Sequence, residues 1–172
     1  MYPGLYAQQR ASQPAFIMAT SGESVSYEQL EQRSNQLAHL LRARGLQRLD
    51  HYAVFMENNS RYMEACVAGE RSGLYYTCVN AFLTAEELTY ILNNSEASLL
   101  ITSRERLAVA QKALPACPKV KMCLVVDGGP AIQGTAGSAV LCDYAAANAP
   151  YPATPIADEW LGTSMLYSSG TT

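Results

Sequence analysis

Leu74-Tyr75-Tyr76-Thr77-Cys78-Val79 is a compact apolar run, rich in the aromatic and β-branched residues that suit a strand. Asn80-Ala81-Phe82-Leu83 breaks it. Thr84 with Glu87 three residues later then forms a capping box that opens a helix through about Asn93. Ala97–Thr102 is the next apolar run. Strand, helix and strand in this order form one βαβ unit. Its strands are continuously apolar rather than alternating, so both of their faces are expected to be covered.

The same rhythm extends outward in both directions. Upstream, Tyr52–Met56 is a strand, Asn58-Asn59-Ser60 a turn, and Ser60 the expected cap of a helix reaching Ser72-Gly73. Downstream, Ser103 is expected to cap a helix to Leu114, where Pro115 forbids easy continuation. Val120–Val126 follows as a further strand. Strand starts recur at roughly 22-residue intervals, which leaves room for a crossover helix each time. The fold class is therefore α/β: a mostly parallel sheet flanked by helices and connected right-handedly.

Before this repeat, Ala15–Thr20 and Ser24–Tyr27 read as a hairpin around Ser21-Gly22-Glu23. Ser26 and Gln29 form a second capping box. The helix it opens carries Leu30, Leu37, Ala38 and Leu41 on one side and ends at Gly45. After it, Asp127–Ser138 reads as an exposed loop, Ala145–Pro155 as a surface connection, and Thr163–Tyr167 as a last strand.

Composition narrows the function classes. Of 172 residues, 49% are apolar and only 16% charged, which suits a chain that buries more than one face. The net charge of −3 comes without a basic run, so the electrostatic footprint of a nucleic-acid binder is missing. No apolar stretch reaches the ~18 residues of a membrane span. The start, Met1-Tyr2-Pro3-Gly4, does not resemble a signal peptide. Five cysteines, with no C-x-x-C among them, suggest reduced, mostly buried thiols in a cytoplasmic protein. His39 and His51 lack a second ligand at metal-binding spacing and read as surface or packing residues. Glu86-Glu87 falls in a helical first turn, where acids stabilise the dipole.

The chemistry-bearing segment is Ser168-Ser169-Gly170-Thr171-Thr172, directly after the apolar Met165-Leu166-Tyr167. Glycine allows successive backbone N–H groups to turn inward, and hydroxyls add donors, so such a loop can cradle a phosphate. A plain Ser/Gly/Thr turn is the competing reading. Its position after a strand favours the cradle, because ligands of open parallel sheets sit at strand C-terminal ends. Neither a Walker loop nor a G-x-G-x-x-G fingerprint occurs in the chain.

Tyr167–Thr172 resembles the opening half of the phosphate loop of AMP-forming acyl-CoA synthetases, members of the adenylate-forming superfamily. In that family the run continues Gly-x-Pro-Lys-Gly; here Ser168 stands for the commoner threonine and keeps a hydroxyl. Val25-Ser26-Tyr27-Glu28-Gln29-Leu30, Leu37-Ala38-His39-Leu40-Leu41 and Gly45-Leu46 resemble the family's opening block. Asp50 fits the Gly-Asp that usually follows, but Leu49 stands where glycine is common. Ser72–Thr77, Asn80, Leu83–Leu88 and Tyr90-Ile91-Leu92 resemble the next block, in the manner of fatty acyl-CoA ligases rather than peptide-synthetase domains.

The resemblance implies a parent enzyme that activates a carboxylic acid, a fatty acid above all, with ATP and Mg²⁺ and passes the acyl group to CoA. It implies that Ser168, Ser169, Gly170, Thr171 and Thr172 bind the β- and γ-phosphates. It also implies that residues 1–172 are an incomplete N-terminal region of the large adenylating domain. The adenine-binding segment, Mg²⁺-associated glutamate, acyl pocket and C-terminal lysine would lie beyond Thr172, so the piece alone is expected to be inactive. A non-catalytic α/β nucleotide-binding or interaction domain is the alternative.

Overall fold

A computed structural model of the chain describes residues 3–167. The elements, in chain order, begin with α1 (Gly4–Gln9) and the antiparallel hairpin β1 (Pro14–Ile17) and β2 (Ser24–Ser26). Next come α2 (Tyr27–Ala43), β3 (His51–Phe55), α3 (Tyr62–Arg71), β4 (Tyr75–Val79), α4 (Ala85–Asn94), β5 (Leu99–Ser103) and α5 (Leu107–Ala113). A single 3₁₀ turn, Leu114–Ala116, precedes β6 (Met122–Val126), β7 (Thr135–Ala136), β8 (Ala139–Asp143), α6 (Tyr144–Asn148) and β9 (Thr163–Ser164).

Seven strands form one sheet in the order β7-β8-β6-β5-β3-β4-β9. Every neighbouring pair is parallel except β7 with β8. The fold expected from the sequence is present, and its four central strands begin at His51, Tyr75, Leu99 and Met122. The chain leaves β3 for β4 on one side and returns to β5 on the other, so β3 stands at the point where the strand order reverses.

Strand alternation divides the buried side chains into two layers. Tyr52, Val54, Leu99, Ile101, Met122 and Leu124 face Leu37, Leu40 and Leu41 of α2 and Ala65 and Ala68 of α3. Ala53, Phe55, Leu100, Cys123 and Val125 face Leu88, Ile91 and Leu92 of α4 and Ala110 and Ala113 of α5. Burial on both faces is why the strands read as unbroken apolar runs. The hairpin closes a small third cluster of Val25, Leu30 and Val67.

Both capping boxes are made: Ser26 with Gln29, and Thr84 with Glu87. Two other expected caps differ. Ser60 does not cap α3; the turn before it is held by Asn59, whose Oδ1 accepts from the Arg61 amide at 2.9 Å. Ser103 is the last residue of β5, and its hydroxyl accepts from the Arg106 amide at 3.2 Å in a turn that precedes the helix. In both places a further turn separates the polar residue from the first helical one.

Two segments expected to be loops contain elements. Thr135–Ala136 pairs with β8 inside the Gly/Pro-rich stretch. Tyr144–Asn148 is helical, capped by Asp143, whose Oδ1 accepts from the Ala146 amide at 2.8 Å.

Candidate functional site at the strand C-terminal edge

The carboxyl ends of β3, β4, β5 and β9 lie along one edge of the sheet. Glu57 follows β3, and one of its carboxylate oxygens accepts from the Ser103 hydroxyl at 2.5 Å, the same oxygen lying 3.9 Å from Arg106 Nε. The Arg106 guanidinium also lies over the Phe82 ring, 5.5 Å from its centroid. Thr102 ties the edge together by donating its hydroxyl to the Phe55 carbonyl at 2.7 Å. Two polar atoms here are buried without a hydrogen bond among the described residues, Thr77 Oγ1 and Arg106 Nε. The edge of this sheet thus carries a carboxylate, a cation and a hydroxyl at the place where ligands of open parallel sheets bind.

A cleft of about 700 Å³ opens at the end of β4, lined by Thr77, Asn80, Glu86, Tyr90 and Tyr167 among others. Tyr167 is the last described residue; its hydroxyl donates to Asn94 Oδ1 at 2.7 Å. It is carried there by β9, which pairs Thr163 with Tyr75 and Ser164 with Tyr76 and is extended by the Met165 amide donating to the Tyr76 carbonyl at 2.9 Å. The residues read as the phosphate cradle, Ser168, Ser169, Gly170, Thr171 and Thr172, lie outside the described residues. A second cleft, of about 510 Å³, sits at the opposite edge among the strand starts His51, Leu99, Met122 and Val140. Its position at the amino ends of the strands makes it the poorer ligand site.

The remaining sequence candidates take structural parts. His39 Nε2 is 2.9 Å from the Thr154 carbonyl, and His51 stacks on Tyr75 with centroids 4.8 Å apart. Glu87 closes its capping box, and the Thr84 amide and hydroxyl hold its carboxyl below the usual carboxylate range. Asp50 accepts from the Gln47 amide at 2.7 Å and so fixes the turn into β3. All five cysteines are free thiols. Among the described residues no cluster of His, Cys, Asp or Glu could hold a metal ion, and no helix is long and apolar enough to cross a membrane.

Sequence reasoning did not single out Glu57 and Arg106. They sit in turns with no motif, and only the sheet order brings residues so far apart in sequence to one edge.

The sequence model of the AMP-binding enzyme family matches residues 6–172. The chain belongs to this family. Among its relatives, a 3-oxocholest-4-en-26-oate–CoA ligase of Rhodococcus rhodochrous is 31% identical over 156 residues, 90% of this chain and 28% of the relative. The fatty acid–[acyl-carrier-protein] ligase ScoC of Streptomyces coeruleorubidus is 35% identical over 113 residues, 66% of this chain and 21% of the relative. The fold matches that of the anthranilate CoA ligase AuaEII, solved in complex with anthranoyl-AMP, with a TM-score of 0.83 at 18% identity, over 98% of this chain and 30% of that one. The chain therefore spans less than a third of the length of these family members.

Proposed function

We propose that the chain is the N-terminal part of the adenylating domain of an ATP-dependent acid–CoA ligase, and that a fatty acid is its carboxylate substrate. The observation that carries this reading is the family match running through residue 172, together with relatives whose names describe acid ligases.

In the first half-reaction a substrate carboxylate oxygen attacks the α-phosphorus of ATP, the bond to the bridging oxygen breaks, and pyrophosphate leaves. In the second, the CoA sulfur attacks the acyl carbon and AMP leaves. Both steps depend on positioning and on neutralising charge. Ser168, Ser169, Thr171 and Thr172 supply hydroxyl donors, and Gly170 supplies a backbone able to turn its N–H groups toward the β- and γ-phosphates. Mg²⁺, when bound with the nucleotide, would offset the negative charge of the phosphates that this loop would hold. The proposed place of action is the cytoplasm.

The test is acid-dependent pyrophosphate release by the full-length parent. Scrambling Ser168–Thr172 is expected to lower turnover by about a hundredfold or more, the scale of losing donors to a developing charge. Undiminished adenylation after scrambling refutes the role of the loop. The 172-residue chain alone is expected to release no pyrophosphate above background.

A further inference from the structure

Two cysteines that adenylation does not use face each other between α3 and β4. Cys66 projects from the helix and Cys78 from the strand, and their sulfur atoms are 3.7 Å apart. Cys66 is buried and Cys78 is half-buried, so the pair has an inner and an outer member. The contact joins two elements already fixed by the core. Disulfide closure needs the sulfurs to approach from 3.7 Å to about 2 Å.

Tyr62 lies one helical turn before Cys66 and, like Cys78, packs against the core layer that holds Cys66. The Cys66 thiol and the Tyr62 hydroxyl together hold the Cys78 thiol below its ordinary range, against the opposing effect of burial. Cys66 is pushed the other way, by its hydrogen bond to Cys78 and by burial. Among the described residues, the ionisable side chains whose fields reach the pair include Tyr62 and Glu70 of α3, Tyr52 of β3 and Tyr76 of β4. The other thiols differ. Cys123 is buried and pushed up to about 12, and Cys117 donates to the Ala113 carbonyl at 3.4 Å.

We propose that Cys66 and Cys78 form a peroxide-oxidisable dithiol, with Cys78 the reacting sulfur and Cys66 the resolving one. The Cys78 thiolate attacks one oxygen of a hydroperoxide. The O–O bond breaks, the alkoxide or hydroxide leaves and takes up a proton, and Cys78 becomes a sulfenic acid. The Cys66 sulfur then attacks the Cys78 sulfur. The S–O bond breaks, the sulfenic oxygen leaves as water with the Cys66 proton, and a disulfide joins α3 to β4. Two thiols are oxidised and one hydroperoxide is reduced to an alcohol or water.

The reduced, folded chain is treated with equimolar hydrogen peroxide and its cysteines are mapped by mass spectrometry. The expected product is a Cys66–Cys78 linked peptide pair, lighter by two hydrogens. Before oxidation, iodoacetamide should label Cys78 about tenfold faster at neutral pH than Cys142, the other half-buried cysteine. In Cys66→Ser, dimedone should capture a sulfenic acid at Cys78. Peroxide that leaves both thiols intact or links a different pair in the unmutated chain overturns the proposal, and so does dimedone that spares Cys78. The mapping of the unmutated chain stands whether or not the variant folds.

Discussion

Leu49 shows how one residue can depart from its family and still be accommodated. It occupies the position where the family commonly has glycine, and its backbone is left-handed, with φ +72°. The conformation is required because the Leu49 amide donates to the Gly73 carbonyl at 2.9 Å while the chain turns into β3. A leucine there costs about 1–2 kcal/mol, and its side chain is 67% exposed and recovers little by burial. Leu49→Gly is therefore expected to stabilise the chain by up to about 1 kcal/mol, after the extra freedom glycine has when unfolded. A denaturant midpoint moving upward checks it. Asp158 offers a pH test at the same scale. The Arg42 guanidinium, donating to both of its carboxylate oxygens at 3.3 and 3.1 Å, holds its carboxyl below the usual range. A carboxyl depressed on folding adds stability above its unfolded pKa, and that stability is lost as pH falls through the folded pKa. Its side chain is 46% exposed, so the contribution is small. Asp158→Asn should cost about 0.5 kcal/mol at neutral pH and nothing once both states are protonated, as read by unfolding at each pH.

At the scale of elements, the decisive piece is β9. It is only Thr163–Ser164, yet it carries the chain to Tyr167 and the proposed loop. A strand so short is held by what precedes it. The Trp160 amide donates to the Arg71 carbonyl at 3.0 Å and the Gly162 amide to the Glu70 carbonyl at 2.7 Å. Gly162 passes so close to Gly69 and Leu74 that a Cβ would press on both carbonyl oxygens. Gly162→Ala is expected to cost about 1–3 kcal/mol and to free β9 from β4. Hydrogen exchange should show faster exchange at the Thr163 and Met165 amides, with protection in β3, β5 and β6 retained. The helices, by contrast, were legible in detail. Ser26 with Gln29 and Thr84 with Glu87 announce their helix starts because a capping box is a local, three-residue device. Ser60 and Ser103 misled because the same residue types also close turns, and the spacing to the first helical residue is fixed by tertiary packing. β7 and α6 were missed because they are short, and β8 because it is not an unbroken apolar run like the central strands; all three take stability from neighbours, with Thr135 opposite Val140 and Asp143 between Gly129 and Ala146.

Across the whole molecule, Arg71 joins regions far apart in sequence. It is fully buried, paired with Glu31 of α2 and 3.5 Å from Glu159, which leads toward β9. Burial and Glu31 raise the Glu159 carboxyl while Arg71 lowers it, so the cation keeps two acids together. Arg71→Met should destabilise the chain by about 1–3 kcal/mol, because it removes the buried cation shared by two half-buried carboxylates, Glu31 and Glu159. Thermal or denaturant unfolding measures this directly. The sequence by itself determined the α/β class, the parallel order of strand and helix, the two covered faces, and the hydroxyl-rich segment of the proposed phosphate site. Each rests on local periodicity, capping or composition, which need no knowledge of distant residues. Only the tertiary structure decided the strand order, which places β5 and β4 on either side of β3 and so gathers Glu57, Ser103 and Arg106 at one edge. The same holds for the burial of Arg71 and the meeting of Cys66 with Cys78. Strand order and the packing of helices on the sheet are set by contacts between separate elements, and no short-range signal encodes them.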